Sequence, residues 1–415
     1  MLPKTPILFT LHLFRSVTGV PMPPGAERDM DASAIDFDAL IVGGGPAGLA
    51  ALSALGRVRR TALLIDSGEY RNSPTRRIHD VAGFDGVTAA YFRWSARQQI
   101  LHYKTVDAVN GTVTSIRPKA NNTYFIATVE TAEGSASTYT ARKIIIATGV
   151  RDLLPHTPGL RENFGKGIYW CPWCDGHEHA DQPMGILGPF DKTVEAVAEV
   201  ANLNSDIIIF ANGTDTYENR VRADAAIAEN SSAYLEKRLA KVDNRTVTRI
   251  TRLRDGEDPD RDPSLPTSPE YDLFNIEFDT GSPVERGVLL TAFTYKQRSS
   301  IGAKLGLKTK DDKLVVDEDM RTSVSGVYAV GDANSDIRTN ILHALHSGKS
   351  AAVHLHTEIE RELSRSLTST SGFRHGISRP SEERRNHGDG FSSKPNDVEL
   401  PDSGTQVALS RLKID

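Results

Sequence analysis

The chain has 415 residues, enough for two domains with well-buried cores. Acidic and basic residues intermix to a net charge of −5, which argues against a nucleic-acid or anionic-membrane partner. Only two cysteines are present, so this is no disulfide-stapled secreted scaffold, and a reducing, cytoplasmic setting is expected.

The first 35 residues hold a short apolar run, Ile7 to Phe14, that contains His12 and ends at Arg15. It is too short to span a membrane and poor as a signal core. With the Pro/Gly-rich piece from Val20 to Gly25 after it, residues 1–35 read as a disordered leader, a signal anchor being the alternative. No apolar run elsewhere reaches spanning length, so no membrane partner is expected.

Phe37 to Val42 reads as a buried parallel strand. It runs into Gly43-Gly44-Gly45-Pro46-Ala47-Gly48 and then an alanine- and leucine-rich helix. This is GxGxxG in its strand–turn–helix context: Gly43 makes the tight turn, Gly45 lets a pyrophosphate approach the backbone, and Gly48 lets helix and strand pack closely. The helix start offers free amides and a positive dipole end. A second strand, Thr61 to Ile65, ends at Asp66, 23 residues past Gly43, where a carboxylate accepts from a ribose hydroxyl. An adenine dinucleotide is therefore expected here. The polar loops Gly68 to Ser73 and Arg76 to His79 adjoin it and are expected to contribute contacts, although charged loops are usually solvated surface. Lys143 to Gly149 reads as another buried strand, ending in Ala-Thr-Gly, whose small residues permit close approach to a ligand.

Cys171 and Cys174 stand three apart in Tyr169-Trp170-Cys171-Pro172-Trp173-Cys174-Asp175-Gly176-His177-Glu178. Thiols so spaced can close a disulfide at a helix start, where the dipole lowers a thiol pKa. Thiolate is the species that attacks a disulfide or a flavin, and Asp175 is placed to move the proton. Two readings compete. His177 and His179 nominally complete a Cys2His2 zinc set, but with all four donors crowded into nine residues, tighter than zinc frameworks. The pair can also be merely buried cysteines. The redox reading is preferred, and no metal is expected.

Met184 to Thr193 opens a second strand–helix unit, followed by the strand Ile207 to Phe210. Its fingerprint is damaged: with Gly188 as first glycine, Phe190 stands at the second position and Thr193 at the third. The Phe190 ring is expected to fill the space where a pyrophosphate meets bare backbone. No arginine follows Phe210 in Ala211 to Asp215 to hold a 2′-phosphate. Arg252 to Pro269 reads as a long solvent loop. Ser323 to Asp332 is a strand ending in Gly331-Asp332, followed by a helix carrying Asn340, His343, His346 and Gly348. His343 and His346 are candidate bases, although exposed helical histidines are more often inert. Residues 361–415 are too polar to bury a core and read as a disordered tail.

Taken together, GGGPAG (Gly43–Gly48), ATG (Ala147–Gly149), CPWCDG (Cys171–Gly176) and AVGD (Ala329–Asp332) resemble the low-molecular-weight thioredoxin reductase family of flavoproteins over roughly residues 36–360. The resemblance implies an α/β fold of two Rossmann-like, three-layer ββα nucleotide-binding-type domains. It divides residues 36–152 and 287–360 as a split FAD domain from residues 153–286, an inserted domain carrying the CxxC. It also implies a homodimer.

Within the family, Asp66 to Asn72, Ile78-His79, Gly149 to Asp152 and Gly167 to Tyr169 look like the fungal gliotoxin-type dithiol oxidases. Those relatives close a disulfide in a small secondary metabolite and reoxidise their flavin with oxygen. Carried over by position, the FAD contacts are Gly43, Gly45, Pro46, Ala47, Gly48, Asp66, Ser67, Gly68, Glu69, Tyr70, Arg71, His79, Val150, Gly331 and Asp332, together with Thr339 and Asn340. One extra residue between Asp332 and Gly348 sets those last two off the family pattern. The expected activity is an FAD-dependent oxidase of a small-molecule dithiol with O2 as acceptor. The alternatives are an NADPH-dependent disulfide reductase and a non-catalytic flavin-binding partner protein.

Overall fold

The computed structural model describes residues 35–336 and 339–370. The expected leader and most of the expected tail fall outside the described residues. One compact unit runs to Ser364.

Within that unit the chain begins with β1 (Phe37–Val42), α1 (Pro46–Arg57), β2 (Ala62–Asp66), α2 (Ala89–Ile100), β3 (Val106–Asn110), β4 (Thr112–Lys119), β5 (Tyr124–Glu130) and β6 (Ala136–Ile146). β1 and β2 are near-continuous apolar runs, as strands covered on both faces must be. The sheet order is β3-β2-β1-β6-β5-β4. β6 changes partners along its length: residues 136–141 pair antiparallel with β5, and 141–146 pair parallel with β1. Its free side there takes Val327–Ala329 from far along the chain. One face is covered by α1, whose Leu49, Leu52 and Leu55 pack with Ile41, Leu64 and Tyr328. The other is covered by the β4–β5–β6 meander through Phe125, Ala127 and Val129 against Leu40, Leu63 and Ile144. This is the expected three-layer ββα lobe. Each fully buried Leu or Ile stabilises it by about 1.5–3 kcal/mol.

The second lobe follows β7 (Val150–Asp152) and contains α3 (Leu160–Asn163), β8 (Ile168–Tyr169), α4 (Pro172–Asp175), β9 (Met184–Leu187), α5 (Phe190–Val200) and β10 (Ile207–Phe210). It continues with α6 (Tyr217–Ile227), α7 (Ser231–Lys237), β11 (Lys241–Asp243), β12 (Val247–Arg254), β13 (Leu273–Phe278), β14 (Val284–Arg286) and β15 (Val288–Thr291). Its parallel sheet has the order β11-β10-β9-β15-β8. α5, α6 and α7 cover one face and the antiparallel β12–β13–β14 sheet the other.

The boundary expected at 286/287 falls too early. β15 is a strand of the second sheet, paired with both β8 and β9, so the chain returns to the first lobe only after Thr291. There β16 (Tyr295–Gln297) pairs antiparallel with β7, forming a two-stranded ribbon at the crossing. α8 (Ile301–Lys304), β17 (Thr309–Lys310), β18 (Lys313–Leu314), β19 (Val327–Ala329) and α9 (Ile341–Thr370) complete the described chain. α9 lays Ala351, Leu355 and Ile359 against the α1 face of the first sheet. It continues to Thr370, so residues 361–370 are helical where a disordered tail was expected. No helix of the described residues is long and apolar enough to cross a membrane.

Candidate functional site

β1 ends on Gly43 at φ +115°, where an added Cβ would stand 2.4 Å from the Ala147 carbonyl oxygen. Glycine alone makes this turn. Gly45 caps α1 with Pro46 at the first helical position, and no side chain satisfies the first-turn amides. A Cβ built at Gly45 meets nothing within 4 Å. An open backbone ahead of an uncapped helix start is a cradle for a diphosphate. Gly48 serves packing: a Cβ there would lie 2.0 Å from the Gly43 carbonyl oxygen.

This turn opens onto a cavity of about 520 Å³, the size of a cofactor site. Of the expected contacts, Gly43, Gly45 to Ala47, Asp66, Ser67, Glu69 to Arg71, His79, Val150, Gly331, Asp332, Thr339 and Asn340 line it. Gly48 and Gly68 do not. The Gly68 amide instead donates to Asp66 Oδ1 at 3.0 Å. The Tyr70 hydroxyl donates to Asp66 Oδ2 at 2.5 Å, and burial together with that bond lifts the phenol to about 12. The Asp66 carboxylate is thereby fixed at the end of β2. The wall also includes Thr112 to Thr114 and Arg298 to Ser300, together with Lys304, which sequence reasoning missed. Thr112 to Thr114 carry no signature. The basic and hydroxyl cluster Arg298-Ser299-Ser300 was a usable signal, but only the return crossing brings it to the cavity.

Arg71 lies on the wall with its donors committed. Nε and Nη2 bond Asp152 at 2.9 and 2.6 Å, and Nη1 bonds Asp332 at 3.1 Å. Burial opposes its charge, but the two carboxylates outweigh that and raise its pKa. Its guanidinium lies 5.2 Å from the Trp170 ring and 5.6 Å from that of Tyr295. Trp170 is held from its side by stacking on Phe164 at 4.8 Å.

The cysteine turn contributes to the wall of the same cavity. Cys171 and Cys174 form a disulfide, so the zinc set does not assemble, and His177 is exposed. Cys171 occupies the N-cap position of the four-residue α4, with Pro172 at the first helical position. Cys174, Asp175, Trp170 and Trp173 line the cavity, and Cys171 does not. The two cysteines are thus distinguished: both are half-buried, but Cys174 contributes to the cavity wall and Cys171 does not. Trp173 is 66% exposed. Asp175 is part-accessible, on the cavity wall. Burial, with the charges of Glu270 and Glu178 and against that of His179, lifts its pKa from 3.8 to about 7. A carboxyl beside the disulfide that titrates near neutrality can both give and take a proton.

Beneath α4, His179 Nδ1 donates to the Asp175 carbonyl at 2.8 Å, and its Nε2 lies 3.3 Å from Asp272 Oδ2. Burial works against charge on this ring, but Asp272, the Asp175 carbonyl and Glu270 outweigh it and raise its pKa. His179, Glu270 and Asp272 bring donor atoms within 4.8 Å of one another. The guanidinium of Arg76 already bonds both acids there, so the cluster is an ion-pair network. His79 Nε2 lies 3.5 Å from Glu178 Oε1.

Neither candidate base on α9 reaches the cavity wall. His343 is buried, with Nδ1 3.5 Å from Asp336 and Nε2 without a hydrogen-bond partner, and burial depresses its pKa. His346 is exposed. From this helix Ile341 and Ala344 reach the wall, while His343 is buried with the charges of Asp336 and Asp332 acting on it.

A split dinucleotide lobe whose cavity is lined in part by a disulfide turn from a second lobe of the same design defines a flavin-linked disulfide oxidoreductase. Residues 37–351 match the pyridine nucleotide-disulphide oxidoreductase family, and the chain belongs to it. It is 45% identical over 333 residues, 79% of this chain and 81% of the relative, to a probable thioredoxin reductase of Arthroderma benhamiae. It is 29% identical to thioredoxin reductase tcpT of Claviceps purpurea, over 79% of this chain and 95% of that one. Among solved structures it is similar to HlmI, with TM-score 0.66, 27% identity, and 81% of this chain and 96% of that one covered. It is likewise similar to a putative thioredoxin reductase TrxB of Bacillus anthracis, with TM-score 0.67, 25% identity, and 79% and 99% covered. The cofactor of this thioredoxin reductase-like flavoprotein is FAD, and the open Gly45 cradle and the fixed Asp66 carboxylate fit it.

Proposed function

We propose that this chain is an FAD-dependent dithiol oxidase that closes a disulfide in a small molecule and passes the electrons to O2. One observation supports the direction of electron flow: at the nucleotide turn of the second lobe two amide positions are lost to a phosphate, Pro189 having none and that of Phe190 being bonded within the chain. Pro189, at the cap of α5, has no N–H to offer. The Phe190 amide donates to Thr214 Oγ1 at 2.9 Å. The Phe190 ring does not fill the phosphate space as the sequence suggested. It is fully buried in the lobe's core with the Arg220 guanidinium 4.9 Å from its centre. The obstruction therefore lies in the amides. Arg220, the nearby cation, is itself tied to Asp215 and Ser232.

In the proposed cycle one substrate thiolate attacks Cys171, the cysteine that does not line the cavity. The Cys171–Cys174 bond breaks, a substrate–Cys171 disulfide forms, and Cys174 leaves as thiolate. The second substrate thiolate then attacks the substrate sulfur, releasing the disulfide product and the Cys171 thiolate. Asp175 takes and returns the proton beside Cys174. FAD, held by the Gly43–Gly48 turn and Asp66, would supply the two-electron acceptor for the reduced cysteine pair, and the net reaction is dithiol plus O2 to disulfide plus H2O2. His343 and His346 are given no part in this. We further propose a homodimer and a cytoplasmic location.

The reductase names of the relatives favour a second reading, an NADPH-dependent disulfide reductase. Anaerobic flavin absorbance separates the two. Bleaching by a small dithiol alone, with recovery on admitting air, is expected; rapid bleaching by stoichiometric NADPH would make the protein a reductase.

A further inference from the structure

The two lobes are joined covalently only where the chain crosses out after β7 and back before β16, at a two-stranded ribbon. Lobes linked so narrowly move relative to one another unless other contacts prevent it. Electron transfer needs Cys174 held at the cofactor, so something must fix the second lobe on the first.

The structure assigns this role to Arg76. It lies in the loop between β2 and α2 of the first lobe, and its neighbours Thr75 and Arg77 line the cofactor cavity. Its own side chain leaves the first lobe and enters the second, where it is 4% exposed. There Nη1 and Nη2 bond the two oxygens of Asp272 at 3.0 Å each, a bidentate fork, and further bonds reach Glu270 and Asp255. The Asp272 side chain is fully buried and also receives His179 Nε2 at 3.3 Å. His179 in turn holds the Asp175 carbonyl at 2.8 Å. An unbroken chain of charge-assisted bonds thus runs from the loop lining the cofactor cavity, through Arg76, Asp272 and His179, to the last turn of α4. Arg76 is a positioning residue: an inter-lobe latch that registers the disulfide against the cofactor. Its planar fork matches a carboxylate in a way a lysine ammonium cannot; Arg252 also pairs with Asp272, but from within the second lobe, so only Arg76 ties that carboxylate to the first.

The latch rests on the reading that the disulfide exchanges electrons with FAD, but one of its two readouts does not depend on the electron donor. Trp170 and Trp173 line the cavity with Cys174, so a seated second lobe holds two indoles, good quenchers of flavin emission, at the cofactor. In purified holoprotein, Arg76→Ala is expected to raise flavin fluorescence several-fold at unchanged FAD content. Anaerobic flavin bleaching by dithiol is expected to slow at least tenfold. If the wild-type protein is bleached by NADPH and not by dithiol, the oxidase reading fails, while the fluorescence change still tests the latch. Wild-type fluorescence in Arg76→Ala overturns the latch. Should Arg76→Ala not fold, Arg76→Lys, which keeps the charge and loses the fork, carries the test. The same changes in smaller measure support the latch, and wild-type values overturn it.

Discussion

Asp175 stands beside Cys174 with its carboxyl lifted from 3.8 to about 7, chiefly by burial. About half of the molecules then hold its proton at pH 7, where an ordinary aspartate would hold it in roughly one in a thousand. The same shift has a cost in stability. The unfolded chain releases this proton near pH 4 and the folded chain only near pH 7. The contribution to stability is therefore full below about pH 4 and is lost as pH rises to about 7 and beyond. About 3 pH units correspond to ~4 kcal/mol, an upper bound because Asp175 borders the cavity. Asp175→Asn keeps the shape and removes the titration. The variant should match the wild type in denaturant unfolding at pH 4 and exceed it at pH 8 by up to ~4 kcal/mol. Flavin bleaching by dithiol should meanwhile fall by about 10²–10⁴-fold and lose any inflection near pH 7. A stability difference that is equal at pH 4 and pH 8 would refute the raised pKa. Wild-type bleaching with the inflection intact would refute the proton role.

Two glycines of the same turn should fail in opposite ways. Gly43→Ala drives a Cβ onto the Ala147 carbonyl at φ +115° and should lower thermal stability by a few kcal/mol or abolish folding. At Gly45 an added Cβ meets no protein atom within 4 Å, so Gly45→Ala should leave a folded protein with weakened FAD binding, read as flavin absorbance per chain; full retention of flavin would move the phosphates away from Gly45. Trp173, 66% exposed beside Cys174, should on replacement by alanine change stability by no more than about 0.5 kcal/mol. It should also raise KM for an aromatic dithiol with kcat little changed. An unaltered KM removes this indole from substrate contact.

Much of the site was legible because its chemistry is local. Gly43 to Gly48, the strand end at Asp66 and the spacing of Cys171, Cys174 and Asp175 each act within a few residues of backbone and pointed to an adenine dinucleotide and a redox pair, while FAD in particular came from the resemblance to the thioredoxin reductases. What could not be read depends on partners distant in sequence. β15 belongs to the second sheet because Val288 to Thr291 pairs with Met184 to Leu187, and nothing in those four apolar residues states which sheet they join. Phe190 looked like an obstruction in sequence, but core packing took its ring inward and left the amide and Pro189 to alter the turn. His343 and His346 had suitable spacing, but α9, seated by packing Ala351, Leu355 and Ile359, brings Ile341 and Ala344 to the cavity wall instead.

The sequence by itself determined the kind of cofactor and the redox pair, since a phosphate turn and a CxxC are made by consecutive residues. Tertiary structure alone decided which cysteine lines the cavity, that Asp175 is buried enough to titrate near pH 7, and that Arg76 reaches Asp272 across 196 residues. The physical reason is the same in each case. Solvent exclusion and ion pairing depend on what the folded chain brings within a few ångströms, and sequence separation does not record that distance.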